Sequence, residues 1–228
     1  MVKTKKVATT LGSALAPKVI DLAPGITSSF VLHALNRAIV GVGPLPGAAA
    51  AADKQLKEHG NVDKAVRELI EHHVAYAGAG GFATNIGGLV TAAVTIPTNV
   101  TGLALIQCRM VAGIAHLRGY SLEDTRTRNA ILECLLGKDK VERCVKARKL
   151  PAPPMAVATA PVPDPELSRI MSQQVASEML SRVVGKRAAV TVGRKIPVVG
   201  GVVGASADGY QTWQIGRYAS RELLPRAR

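Results

Sequence analysis

The chain has 228 residues, with 29 Lys and Arg against 16 Asp and Glu, for a formal net charge of +13. That length suffices for one or two compact units with a real core, but an aromatic content of 3% leaves alanine, valine, leucine and glycine to supply most of the packing. The charge implies attraction to phosphate-bearing surfaces, lipid headgroups or nucleic acid. Cys108, Cys134 and Cys144 are odd in number and lack metal-ligand spacing, so they read as reduced thiols and not as a disulfide framework.

At the N-terminus Lys3, Lys5 and Lys6 precede Val7 to Ala16, which imitates a signal peptide. Thr9, Thr10, Gly12 and Ser13 interrupt its apolar part, and a cytoplasmic protein with a basic head is the preferred reading. Pro24-Gly25 and the Gly41 to Gly47 stretch bracket Ile26 to Val40, whose Phe30, Leu32, His33, Leu35 and Ile39 give a loose helical stripe. Residues 1–53 form a small-residue leader with this one helix packed on the core.

The first clear helix lies within Lys54 to Ala77. Asn61 caps it, and Val62, Val66, Leu69, Ile70 and His73 recur at helical spacing. Glu58-His59-Gly60 ends a preceding helix. From His72 to Cys108 there is no Asp, Glu, Lys or Arg, and this tract organises the chain. Pro97 divides it into an arm over Ile86 to Thr95 and a helix over Thr98 to Leu117, stopped by Gly119. Neither arm offers the roughly 20 clean apolar residues of a spanning helix.

Ser121 to Asp124 fits a capping box ahead of a helix ending near Gly137, with Thr125, Asn129, Leu132 and Leu136 on one face. Lys138 to Lys149 holds six basic residues against two acidic ones, and six prolines fall between Pro151 and Pro165. That proline density reads as an extended linker without a helix. Asp164 then caps a long helix along which Leu167, Met171, Val175, Met179 and Val183 recur every four residues. A second apolar knot, Ile196 to Gly204, opens a helix from Val198 to Leu224 with Tyr210, Trp213 and Tyr218 in its second half. Gly193, Pro197, Gly201, Ala205 and Gly209 lie four apart, a spacing that puts small residues on one helical face. The expected fold is an all-α helical bundle with two glycine-rich, proline-broken apolar hairpins. Residues 54–149 form the first helical half, 150–165 the linker, and 166–228 the second half of the same domain.

Many of these positions resemble the EcsC protein family. They are Glu58-His59-Gly60, Asp63 and Ala65, Gly81-Phe82, Gly87-Gly88, Pro97, Gln107, Arg109-Met110, Ile114-Ala115-His116, Gly119-Tyr120 and Leu136-Gly137. Toward the C-terminus Ile196-Pro197-Val198, Gly200-Gly201, Gly204, Asp208, Thr212, Gly216 and Ala219 also fit. The resemblance runs from Leu56 to Leu223, with the proline-rich stretch as an insertion. It implies a helical cytoplasmic protein encoded near transport systems, hence a membrane protein or transporter as partner. It also brings the label hydrolase without an obvious catalytic motif.

Gly204-Ala205-Ser206-Ala207-Asp208 fails as a nucleophile elbow at its last position. His59, His72, His73 and His116 with Glu68 and Glu71 lack the spacing of a metal site, and no cofactor motif occurs. Gln107 and Arg109 interrupt an apolar helix, and a buried arginine needs a partner, for which Asp208 is the natural choice; the functional alternative is a lipid phosphate. Lys146, Arg148, Lys149, Lys186 and Arg187, with Arg182, Arg194 and Lys195, suit a surface that meets anionic lipid. Few aromatics are available for stacking nucleic-acid bases, which argues against that partner. The expected function is therefore a lipid- or partner-binding accessory module, peripheral to the cytoplasmic face of an anionic membrane. The alternatives are a lipid or peptide hydrolase and a basic nucleic-acid binder.

Overall fold

The structure, a computed structural model, describes residues 26–78, 98–193 and 199–226, with side chains for 26–78, 101–182 and 207–226. The basic N-terminal segment, the Ile86 to Thr95 arm, Pro97 and the side chains of the Ile196 to Gly204 knot lie outside these residues. Within them the protein is an all-α helical bundle of nine helices and one two-stranded ladder.

Helix α1, Ser28–Val40, begins where the Thr27 hydroxyl accepts a hydrogen bond from the Phe30 N–H at 3.2 Å. It buries Phe30, Val31, Ala34, Leu35, Ala38 and Ile39, whereas Leu32 and His33 of the expected stripe face outward. Strands β1 (Gly41–Val42) and β2 (Leu45–Pro46) then pair antiparallel about Gly43-Pro44. Gly43 sits at φ 54°, a left-handed conformation that glycine adopts without steric cost.

Alanines 48–52 favour helix, and α2 runs Ala48–His59 to a left-handed Gly60, as its sequence indicated. Helix α3, Val62–Gly78, starts at Asn61, whose side-chain oxygen accepts from the Lys64 N–H at 3.0 Å. Helix α4 occupies Thr98–Leu117. At its end the Tyr120 N–H reaches the Ala115 carbonyl and the Gly119 N–H that of His116, both at 3.0 Å, the paired bonds of a Schellman stop.

Helix α5, Thr125–Leu136, corrects two expectations. Its cap is Asp124, which accepts from the Arg126 N–H at 2.8 Å, while the Ser121 hydroxyl serves the turn before it. It also has no single apolar face: every residue from Asn129 to Leu136 is buried, and Thr125 is exposed. Helix α6 (Lys138–Lys146) follows at once. The proline-rich stretch is likewise corrected, because it contains α7, Pro154–Ala158, packed on α5. Proline at the first turn loses no intrahelical hydrogen bond, so a short helix survives there.

Asp164 caps α8, Pro165–Gly193, accepting from the Glu166 N–H at 2.9 Å, and Leu167, Met171 and Val175 are buried as expected. Helix α9, Val199–Glu222, completes the bundle.

Helix α4 is the axis, packing against α1, α2, α3, α5 and α9. Small residues make those crossings close. A Cβ at Gly113 would stand 2.7 Å from Leu69 of α3 and 3.5 Å from the Ala48 carbonyl of α2. One at Gly216 of α9 would stand 2.9 Å from Ile70 and 3.0 Å from Met110.

Candidate functional site

Gln107 and Arg109 lie two residues apart on α4, so they point to opposite sides of the helix. Gln107 faces α9 and is buried, its Nε2 donating to the Thr212 hydroxyl at 3.1 Å. Arg109 faces the hairpin, and its Nε donates to the Pro46 carbonyl at 2.9 Å. The expected Arg109–Asp208 ion pair is not among those formed by the described residues. Asp208 sits half-buried one turn before Thr212, so its stretch of α9 approaches the Gln107 side of α4. The polar link between the two helices is Gln107–Thr212 instead.

Arg109 is only 6% exposed. Burial lowers its pKa, and nearby Tyr76 opposes that. Beside it on α3 lies His73, 2% exposed, with Nδ1 at 2.6 Å from the Leu69 carbonyl. A carbonyl only accepts, so Nδ1 carries the proton and Nε2 is a bare acceptor. Nε2 is buried and has no partner among the described residues. Burial chiefly, with the Arg109 charge assisting, holds the imidazole neutral down to a pKa of about 4. The Tyr76 ring meets it edge-on at 6.1 Å between centroids.

A second polar inclusion was not foreseen. Glu133 of α5 is 0% exposed, and neither carboxylate oxygen has a hydrogen-bond partner among the described residues. Burial, reinforced by Glu222, pushes its pKa up to about 8. Glu222 is itself raised, by burial and despite Lys138. The sequence carried a signal here, one charge inside the apolar run Ile131 to Leu136. The cysteine thiols are all free and buried, and burial raises Cys108 to about 12.

The basic residues divide. Lys146, Arg148 and Lys149 are exposed where α6 ends, and the side chains of Lys186, Arg187, Arg194 and Lys195 lie outside the described residues. Arg182 turns inward: it donates to Glu178 at 3.2 Å and to the last carbonyls of α5, Leu135 and Leu136, at 3.4 and 3.3 Å. A cation there answers the negative end of that helix.

Another exposed face reads in the sequence only as scattered aromatics. On α9 Tyr210 and Trp213, 60% and 44% exposed, stack with centroids 5.9 Å apart. The Arg217 guanidinium covers Trp213 at 5.8 Å from the ring centre. Spacing of three and four residues puts all three on one side of the helix.

Among the described residues no group of three His, Cys, Asp or Glu could hold a metal ion. The histidine–carboxylate hydrogen bond there, His116 to Asp53 at 2.8 Å, is not extended to a serine. No helix of the described residues is long and apolar enough to cross a membrane. Comparison with curated proteins and with solved structures returns no match. A family model does match, over residues 49–226, most of the chain and slightly more than the stretch whose residues suggested it. The chain belongs to the EcsC protein family.

Proposed function

We propose that this EcsC protein is an accessory module that binds peripherally to anionic membrane at the cytoplasmic face, where it holds a lipid or a membrane-protein partner. The observation that carries this reading is the Tyr210–Trp213–Arg217 face of α9. Stacked amphipathic rings beside a cation favour the headgroup layer, where apolar bodies bury and polar edges stay wet. The net charge of +13 complements an anionic leaflet, and exposed Lys146, Arg148 and Lys149 add attraction of about 1 kcal/mol each near such a surface. Lys186 and Arg187 are proposed to join that set.

Vesicle flotation with the full chain tests it. Trp213→Ala combined with Tyr210→Ala should abolish flotation on anionic vesicles while leaving the fold intact, since both rings are exposed. Neutralising Lys146, Arg148, Lys149, Lys186 and Arg187 should weaken binding to anionic vesicles and leave neutral ones unaffected. Wild-type flotation of both variants, or complete displacement from vesicles by duplex DNA at equal charge, would count against the proposal and, in the second case, favour nucleic acid.

A further inference from the structure

We propose, resting on the membrane reading of the same face, that α9 selects lipids whose headgroup carries two phosphodiesters, of the cardiolipin type, with Arg217 taking one phosphate and Arg221 the other. Tyr210, Trp213, Arg217 and Arg221 are all exposed, and successive offsets of three, four and four residues keep them on one side of the helix. The opposite side of α9 is committed to packing. Ile215, Ala219 and Leu223 are buried there, and Gly216 meets Ile70 of α3 and Met110 of α4. The helix therefore presents a lengthwise stripe, and not an end, to whatever it meets. Its two acids, Asp208 and Glu222, fall off that stripe and are half-buried. Tyrosine and tryptophan rings favour the headgroup layer, the depth at which lipid phosphates lie. With Tyr210 and Trp213 seated there and α9 lying flat, both arginines reach the phosphates together.

The Arg217 guanidinium lies 5.8 Å over the centre of Trp213, which itself stacks on Tyr210 at 5.9 Å. Stacking engages the face of the guanidinium and leaves its in-plane N–H groups to donate to a phosphate as a fork. Arg221 follows one turn later, its Cβ about 5–6 Å from that of Arg217. Two lipids with one phosphate each would have to crowd together to fill both arginines, each losing its own lateral freedom. A headgroup whose two phosphodiesters share one short glycerol bridge fills both for a single such loss. The exposed charges at the end of α6 make no such distinction: they add attraction to any anionic leaflet.

Flotation of the full chain on phosphatidylcholine vesicles containing either cardiolipin or phosphatidylglycerol, matched in anionic phosphate, tests it. The expected result is an apparent affinity about tenfold or more higher on cardiolipin. Arg221→Gln should remove that preference while weakening binding to phosphatidylglycerol by no more than about fivefold, the share of one surface charge. Arg217→Lys, which keeps the charge but loses the stacked fork, should likewise level the two lipids. Arg148→Gln with Lys149→Gln should weaken binding to both lipids equally and keep the preference. All four positions are exposed, so the variants keep the fold, which thermal melting checks. Equal flotation of the wild type on the two lipids, or a preference that survives both Arg221→Gln and Arg217→Lys, would overturn the assignment and leave the membrane reading standing. Flotation on neither lipid would overturn both.

Discussion

The core holds two polar inclusions of opposite character. Between α3, α4 and the hairpin sit a histidine and an arginine, each hydrogen-bonded to a backbone carbonyl; where α5 approaches the end of α9 sit Glu133 and Glu222, raised together. Burial drives both sets toward neutrality, but the means differ by residue type. His73 stays deprotonated and Glu133 stays protonated, each at the cost of a displaced pKa. Arg109 has no neutral form within reach, so only a hydrogen bond and a counter-charge can satisfy it. One inclusion therefore keeps a fixed charge held by a backbone carbonyl, whereas the other resolves itself by holding a proton.

The largest expected effect breaks that symmetry at Glu133. Unfolded, the carboxyl ionises near 4.5; folded, near 8. Between these values the native state keeps a proton that the unfolded chain has released, so stability falls as pH rises through the window. The loss amounts to roughly 3–5 kcal/mol by pH 8. Glu133→Gln should recover a gain of that order at pH 8 and change stability little at pH 4.5. Urea melts at the two pH values check this, and an unchanged pH slope would clear Glu133 of responsibility.

His73 should show the opposite sign with a smaller size. Its folded pKa is depressed from 6.5 to about 4, so the unfolded chain takes up the proton first and stability falls on acidification through that window, by about 3 kcal/mol. In the wild type the Glu133 effect partly cancels it between pH 4.5 and 6.5. Measured in the Glu133→Gln background, the acid loss should stand out, and adding His73→Leu should flatten it.

The smallest effect concerns packing where α9 crosses α3 and α4. Gly216→Val would place a branched side chain against Ile70 and Met110, at a cost of about 1–3 kcal/mol at any pH. A pH-dependent loss would mean that the crossing also holds one of the inclusions in place.

Much of the helical frame could be read from local pattern. Asn61, Asp164 and Gly119 act as the stops and starts their chemistry suggests, and α4 has the expected bounds Thr98–Leu117. Capping and helical periodicity involve residues within a turn of each other, so sequence contains them. The family, too, was legible, because its positions are spread along the chain. The partners of buried polar groups were not. Gln107 and Arg109 were recognised as the residues to explain, yet the choice between Thr212, Asp208 and Pro46 depends on which side of α4 each helix occupies. Glu133 looks in sequence like any helical glutamate; only the closing of α6, α7, α8 and α9 around α5 removes its water. Likewise Pro154 opens a helix because α5 offers Val157 and Ala158 a surface to cover. Sequence by itself determined where the capped and strongly periodic helices run, since caps and periodicity are set by neighbours along the chain. Tertiary structure alone decided which charges are buried and what faces them, because desolvation is a property of the surroundings and not of the residue.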